Sequence, residues 1–188
     1  MSRSLLAAVG LAMGAFTPFL MQAGQAVELR GEVYFDHPPT LVNAMTTERR
    51  TTASSATYYF TLTVPEDAGE PLQRITIAQK DGSSFDQLVR YNTEATRAFI
   101  GTPRSRSEAI TLGATTFDRD SQTVSVLFDP PVSAGKTVTI GLRPRRNPLS
   151  DGVYLFGVTA YPAGEKAYGQ FLGYGRLDFD KSDSNFFP

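Results

Sequence analysis

The chain has 188 residues, of which 41% are hydrophobic, 20% charged and 11% aromatic, a composition that supports one globular domain with a core large enough to fold alone. Its formal charge of −1 lacks the basic excess that a nucleic-acid footprint needs, so no nucleic-acid partner is implied. With no cysteine in the sequence, disulfides, thiol catalysis, iron–sulfur ligation and cysteine zinc sites are all excluded.

Residues 1–26 read as a signal peptide: Arg3 in a short leading region, an apolar stretch over 5–21, and the small, polar end Gln22-Ala23-Gly24-Gln25-Ala26. Gly24 and Ala26 supply small residues at the two positions that signal peptidase reads, which predicts cleavage after Ala26 and a mature start at Val27. A retained span needs about 20 apolar residues, whereas Gly10, Gly14 and Pro18 interrupt a shorter run. Loss of Arg3 from 18 basic residues leaves 17 against 19 acidic ones, a net charge of −2. The expected product is an exported domain in the periplasm, at the cell surface or outside the cell, and not an integral membrane protein once processed.

The domain is expected over 27–180, followed by a polar tail at 181–188 with an apolar tip, Phe186-Phe187-Pro188. Residues 27–35 read as a first strand with a bulge near Gly31, before His37-Pro38-Pro39. The polar stretch 45–55 reads as a loop. In Tyr58-Tyr59-Phe60-Thr61-Leu62-Thr63-Val64 the residues alternate with period two, which predicts a half-buried strand that Pro65 and Gly69 terminate. Strands follow at 72–78, at 123–128 with Val124, Val126 and Phe128 inward, at 137–142, at 152–160 with Tyr154, Phe156 and Val158 on one face, and at 176–179. Pro130-Pro131 and the stretch from Pro144 to Pro148 read as connections. Residues 84–92 admit one short helix, with Phe85, Leu88 and Val89 at helical spacing, and 93–100 equally admit a strand. Short strands and turn signals at this spacing predict an antiparallel β-sandwich.

Candidate chemistry is sparse. Gly135-Lys136-Thr137 is a fragment of a phosphate-binding loop, but Pro130 stands where the motif needs glycine and Val138-Thr139-Ile140 alternates as a strand, so Ala134-Gly135-Lys136 reads as a hairpin turn. His37, the single histidine, lies beside Asp36 and predicts an exposed loop; a metal site there would rest on one imidazole and nearby carboxylates. Asp118-Arg119-Asp120 opens like a calcium loop, yet Thr123 takes the glycine position, and a β-turn is the better reading. Asp178, Asp180 and Asp183 with Asn185 form a second acidic group that would suit calcium, with a solvated tail as the plain alternative. Tyr161, Tyr168 and Tyr174 could stack on sugar rings, although aromatic residues in strands more often serve the core. No catalytic set, cofactor site or metal site is assigned; a carboxylate-only hydrolase is the least favoured reading.

The run Phe128-Asp129-Pro130-Pro131-Val132-Ser133-Ala134-Gly135-Lys136-Thr137-Val138, then Arg146-Asn147-Pro148, Gly152-Val153-Tyr154-Leu155-Phe156 and Ala160-Tyr161-Pro162-Ala163-Gly164, resembles a secreted cyanobacterial family of unknown function, DUF2808. His37-Pro38-Pro39 and Ala98-Phe99-Ile100-Gly101 also fit. The resemblance spans about 33–179 and implies an exported immunoglobulin-like sandwich; it carries over no catalytic residue. The expected function is a non-enzymatic structural or adhesive domain that binds proteins or itself, for instance by adding residues 27–35 to a neighbour's sheet. A carbohydrate- or metal-binding module is the alternative, with a polysaccharide among its candidate partners.

Overall fold

The computed structural model describes residues 28–29, 31–80 and 88–181. The leader at 1–26, the predicted mature start Val27, residues 84–87 of the admitted helix and the tail from 182 lie outside the described residues. In chain order the strands are β1 (Glu28–Leu29), β2 (Glu32–Val33), β3 (Thr40–Thr46), β4 (Tyr58–Thr63), β5 (Leu72–Gln79), β6 (Arg97–Thr102), β7 (Ser105–Ile110), β8 (Leu112–Asp118), β9 (Thr123–Val132), β10 (Thr137–Leu142), β11 (Gly152–Pro162) and β12 (Gln170–Phe179).

Beyond the small β1–β2 pair, the strands form two five-stranded antiparallel sheets, in the orders β3-β4-β10-β6-β7 and β12-β11-β5-β9-β8. Alternation builds the core between them: Tyr58, Phe60 and Leu62 of β4, Val138, Ile140 and Leu142 of β10, Ile75 and Ile77 of β5, Val124, Val126 and Phe128 of β9, and Tyr154, Phe156 and Val158 of β11 are all buried. Omitting β7, β8 and β9 leaves β3-β4-β10-β6 facing β12-β11-β5. Lettered in chain order from A to G, that is ABED on CFG, the arrangement of an immunoglobulin constant-type domain. The strands β7 to β9 are an insertion between D and E that widens both sheets.

Two local features agree with this topology. Tyr154, near the start of β11, donates its hydroxyl to Ser150 O at 2.8 Å, the bond of a tyrosine corner at the entry to strand F. Antibody domains join strands B and F by a disulfide; here Phe60 of β4 meets Phe156 of β11 with ring centroids 5.8 Å apart. Tyr58 also packs on Phe156 and Phe179, at 6.0 and 5.6 Å. Edge-to-face and tilted rings at these distances add about 0.5–1.5 kcal/mol per pair to their area burial, so an aromatic cluster takes the place of the covalent staple.

Several sequence expectations need correction. Residues 27–35 do not make one bulged strand: β1 and β2 form a hairpin around Gly31, whose φ is +77°, in the left-handed region that favours glycine. Val33 then bridges in parallel to Ala167 of its own chain. β9 does not stop at Phe128 but continues to Val132 through Pro130 and Pro131. The β5–β9 ladder skips from Arg74↔Leu127 to Leu72↔Val132, so no ladder donor is required where the prolines sit. Ala134-Gly135-Lys136 is not a hairpin turn but the passage from β9 in one sheet to β10 in the other. Met45 and Thr46, read as loop, close β3. Residues 88–92 hold no helix; a short 3-10 turn, Thr93–Ala95, leads into β6.

Candidate functional site

Antiparallel sheets with one face in water normally place polar side chains on that face. The outward positions of β11 are Val153, Leu155, Gly157, Thr159 and Tyr161, with no charge among them. On the edge strand β12, Phe171 pairs with Thr159 and Tyr174 with Gly157, so both rings lie on the same outer face. Leu172 is the extra residue at the shift between Val158 and Thr159; this bulge keeps both aromatics outward despite their odd spacing.

These rings are exposed, Phe171 by 57% and Tyr174 by 49%. They pack edge to face with centroids 5.1 Å apart. Gly157 is the floor beneath them: a Cβ there would stand 3.3 Å from Phe171 Cε2 and 3.4 Å from Tyr174 Cε1. One row further along, Arg74 of β5 lies over the Tyr161 ring at 3.9 Å, a cation–π contact that holds the ring against the sheet. Tyr168 stacks on Tyr34 at 4.7 Å and is half exposed. At the other end Arg176 pairs with Asp178 at 2.9 Å. The result is an apolar, aromatic patch with a polar rim.

Of the tyrosines picked out in the sequence, Tyr161 and Tyr174 share this face, and Tyr168 lies in the loop that joins their strands. Phe171, the most exposed ring of the patch, is not among those candidates; the β11–β12 register places it beside Tyr174.

The polar candidates disperse. His37 is exposed, with Nδ1 3.1 Å from Asp67 O and 3.3 Å from Asp67 Oδ2. Asp118 Oδ1 accepts from the backbone N–H of Asp120 at 2.9 Å and of Ser121 at 3.4 Å, which holds its carboxyl below the usual range and makes it the cap of the β8–β9 turn. Asp178 is engaged by Arg176, and Asp180 by Arg49 at 3.1 Å; Asp183 and Asn185 lie outside the described residues. Among the described residues no three His, Asp or Glu side chains converge as a metal site requires. The Gly135 N–H donates to Val64 O at 3.0 Å, so that amide closes the inter-sheet turn. No helix among the described residues is long and apolar enough to cross a membrane.

Fold and surface together define a mainly β, immunoglobulin-like sandwich that carries an exposed aromatic patch on one sheet. The chain belongs to the family described as Protein of unknown function (DUF2808), whose model matches residues 32–179. No curated protein matches it. Among solved structures it is similar to BslA, a bacterial hydrophobin, at 17% identity over 77% of this chain and 100% of that one, with a TM-score of 0.40. The collagen-binding domain of a Staphylococcus aureus adhesin is 12% identical over 78% of this chain and 97% of that one, with a TM-score of 0.39. A chain of the structure that holds the manganese lipoxygenase of Gaeumannomyces graminis and part of a Komagataella pastoris zonadhesin is 7% identical over 71% of this chain and 48% of that one, with a TM-score of 0.41. The fold assignment rests on strand order and the tyrosine corner, not on these distant likenesses.

Proposed function

We propose that this chain is an exported, non-enzymatic adhesive domain that holds a protein partner on the outer face of β11 and β12 at the cell envelope or in the extracellular matrix. The observation that carries the reading is the pair Phe171 and Tyr174, exposed yet fixed over Gly157. Rigid aromatic side chains lose little entropy on binding, and Tyr, Phe and Arg are the residue types enriched in protein interfaces. The neighbouring outward residues Val153, Leu155 and Gly157 offer no side-chain hydrogen bonds, which favours a protein surface over a sugar on this patch. Addition of residues 27–35 to a neighbour is not part of the reading, because Val33 already donates to Lys166 O at 3.0 Å and accepts from Tyr168 N at 2.9 Å within its own chain.

The test is retention of the purified protein on whole cells of the source organism, compared with the variant Phe171→Ser/Tyr174→Ser at matched urea stability. Retention that the variant loses by tenfold or more, and that protease treatment of the cells abolishes, is the expected result. Retention that survives protease but not periodate would refute a protein partner, and so would equal retention of wild type and variant.

A further inference from the structure

At the end of the sandwich where β10 runs out and β11 begins, a groove of about 580 Å³ is lined by Arg119, Gln122, Arg145, Arg146, Pro148 and Leu149 among others, a size within the range of small-ligand sites. Arg145 and Arg146 belong to the β10–β11 connection, and Arg119 to the β8–β9 turn, so the topology gathers guanidinium groups from distant segments. Among the described residues no carboxylate pairs with Arg119, Arg145 or Arg146. The Asp118 carboxylate beside Arg119 is taken by backbone N–H groups.

The backbone beneath is fixed. Arg145 N donates to Arg90 O at 2.7 Å and Asn147 N to Ala53 O at 2.8 Å. Gln122, at a φ of 50°, is held by its own Nε2, which donates to Arg119 O at 2.6 Å, while its backbone O accepts from Gln79 N at 3.0 Å. Gln122 Oε1 is then left buried without a donor.

The groove therefore offers guanidinium groups to oxyanions and an apolar face at Leu149, which is 42% exposed. We infer that it binds an acidic sugar, a uronate unit of a polysaccharide, which carries a carboxylate and a ring face of C–H groups in one body. Arginine's planar fork suits the carboxylate in two-point contact. The site is separate from the aromatic patch and does not depend on it.

Calorimetric titration of the purified chain with oligogalacturonate tests the idea, with neutral dextran, polyglutamate, dextran sulfate and inorganic phosphate as the other arms. Oligogalacturonate is expected to bind, and Arg145→Gln/Arg146→Gln to weaken it by tenfold or more with an unchanged urea midpoint. Phe171→Ser/Tyr174→Ser should bind like wild type, so the two surfaces are judged independently. Absence of oligogalacturonate binding, equal affinity in the arginine variant, polyglutamate binding as tight as the sugar, or full competition by millimolar phosphate would each overturn the assignment.

Discussion

Asn147 is 2% exposed and ties three segments together. Its Nδ2 donates to Glu48 O at 2.9 Å and Arg50 O at 2.8 Å, while its Oδ1 accepts the Tyr58 hydroxyl at 2.8 Å. Replacing it with alanine removes all three bonds. The carbonyls of Glu48 and Arg50 sit near the surface and can recover water, so each loss costs about 0.5–1 kcal/mol net. The Tyr58 hydroxyl belongs to a side chain with 0% exposure and would bear the desolvation penalty of a stranded buried group, about 1–3 kcal/mol. Asn147→Ala should therefore cost about 3 kcal/mol, a fall in Tm of about 6–12 °C for a chain of this size. Urea unfolding should show a lower midpoint with an unchanged m-value. Tyr58→Phe removes one bond from the other side and should cost about 1–2 kcal/mol. The double variant should fall short of the sum by about 1 kcal/mol, because the two single changes destroy the same bond. A cost for Asn147→Ala below about 1 kcal/mol, or full additivity in the cycle, would refute this account.

Further expectations follow from burial and charge. Gly175→Ala should destabilise by about 1–3 kcal/mol in urea unfolding, because the new Cβ would stand 2.7 Å from Ala44 Cβ and 2.8 Å from Phe60 Cε1, where the β3 and β12 edges close the sandwich. The Arg50 side chain, and then its backbone N–H, hold the Glu48 carboxyl down to about 2. A depressed folded pKa gives stability that is present above the ordinary value of 4.5 and lost as pH falls toward 2; Glu48→Gln should flatten the acid limb of a Tm profile in that window. Burial raises the phenols of Tyr58 and Tyr91 above their ordinary value of 10.0. Their contribution is complete below that value and lost as pH rises beyond it, so an ultraviolet tyrosinate titration should show these two ionising only with cooperative unfolding.

The central strands were legible because they bury a whole face. Residues 137–142 were predicted to the residue, and β4 ends at Thr63, within one residue of the reading, since Phe60, Leu62, Val138 and Ile140 impose period two. The edges were not. β7 reads Ser-Arg-Ser-Glu-Ala-Ile and is exposed apart from Ile110; its extended form comes from pairing with β6, not from its own side chains. The first half of β12 is hidden because Gly173 and Gly175 interrupt its alternation, and the end of β9 because Pro130 and Pro131 read as a connection, until a bulge and a register shift explain them. Tyr161, Tyr168 and Tyr174 were visible as candidates, whereas their assembly with Phe171 required the β11–β12 register. Arg119 and the Arg145–Arg146 pair gave no sign of meeting, since only the insertion between D and E brings the β8–β9 turn beside the β10–β11 loop.

The docking of Val33 beside Ala167 also has a mechanical meaning. The chain enters the sandwich at Val33, alongside the start of β12, and leaves it at Asp180, beyond the end of that strand. At about 3.4 Å per residue, the ten residues of β12 separate entry from exit by roughly the length of the domain. Because Val33 runs parallel to residue 167, tension applied between these points slides the two segments past one another and loads the Val33–Lys166 and Tyr168–Val33 bonds together, where an antiparallel edge would peel one bond at a time. A domain strung this way between two anchors would resist pulling as a strut does, and would give way first at that short parallel seam.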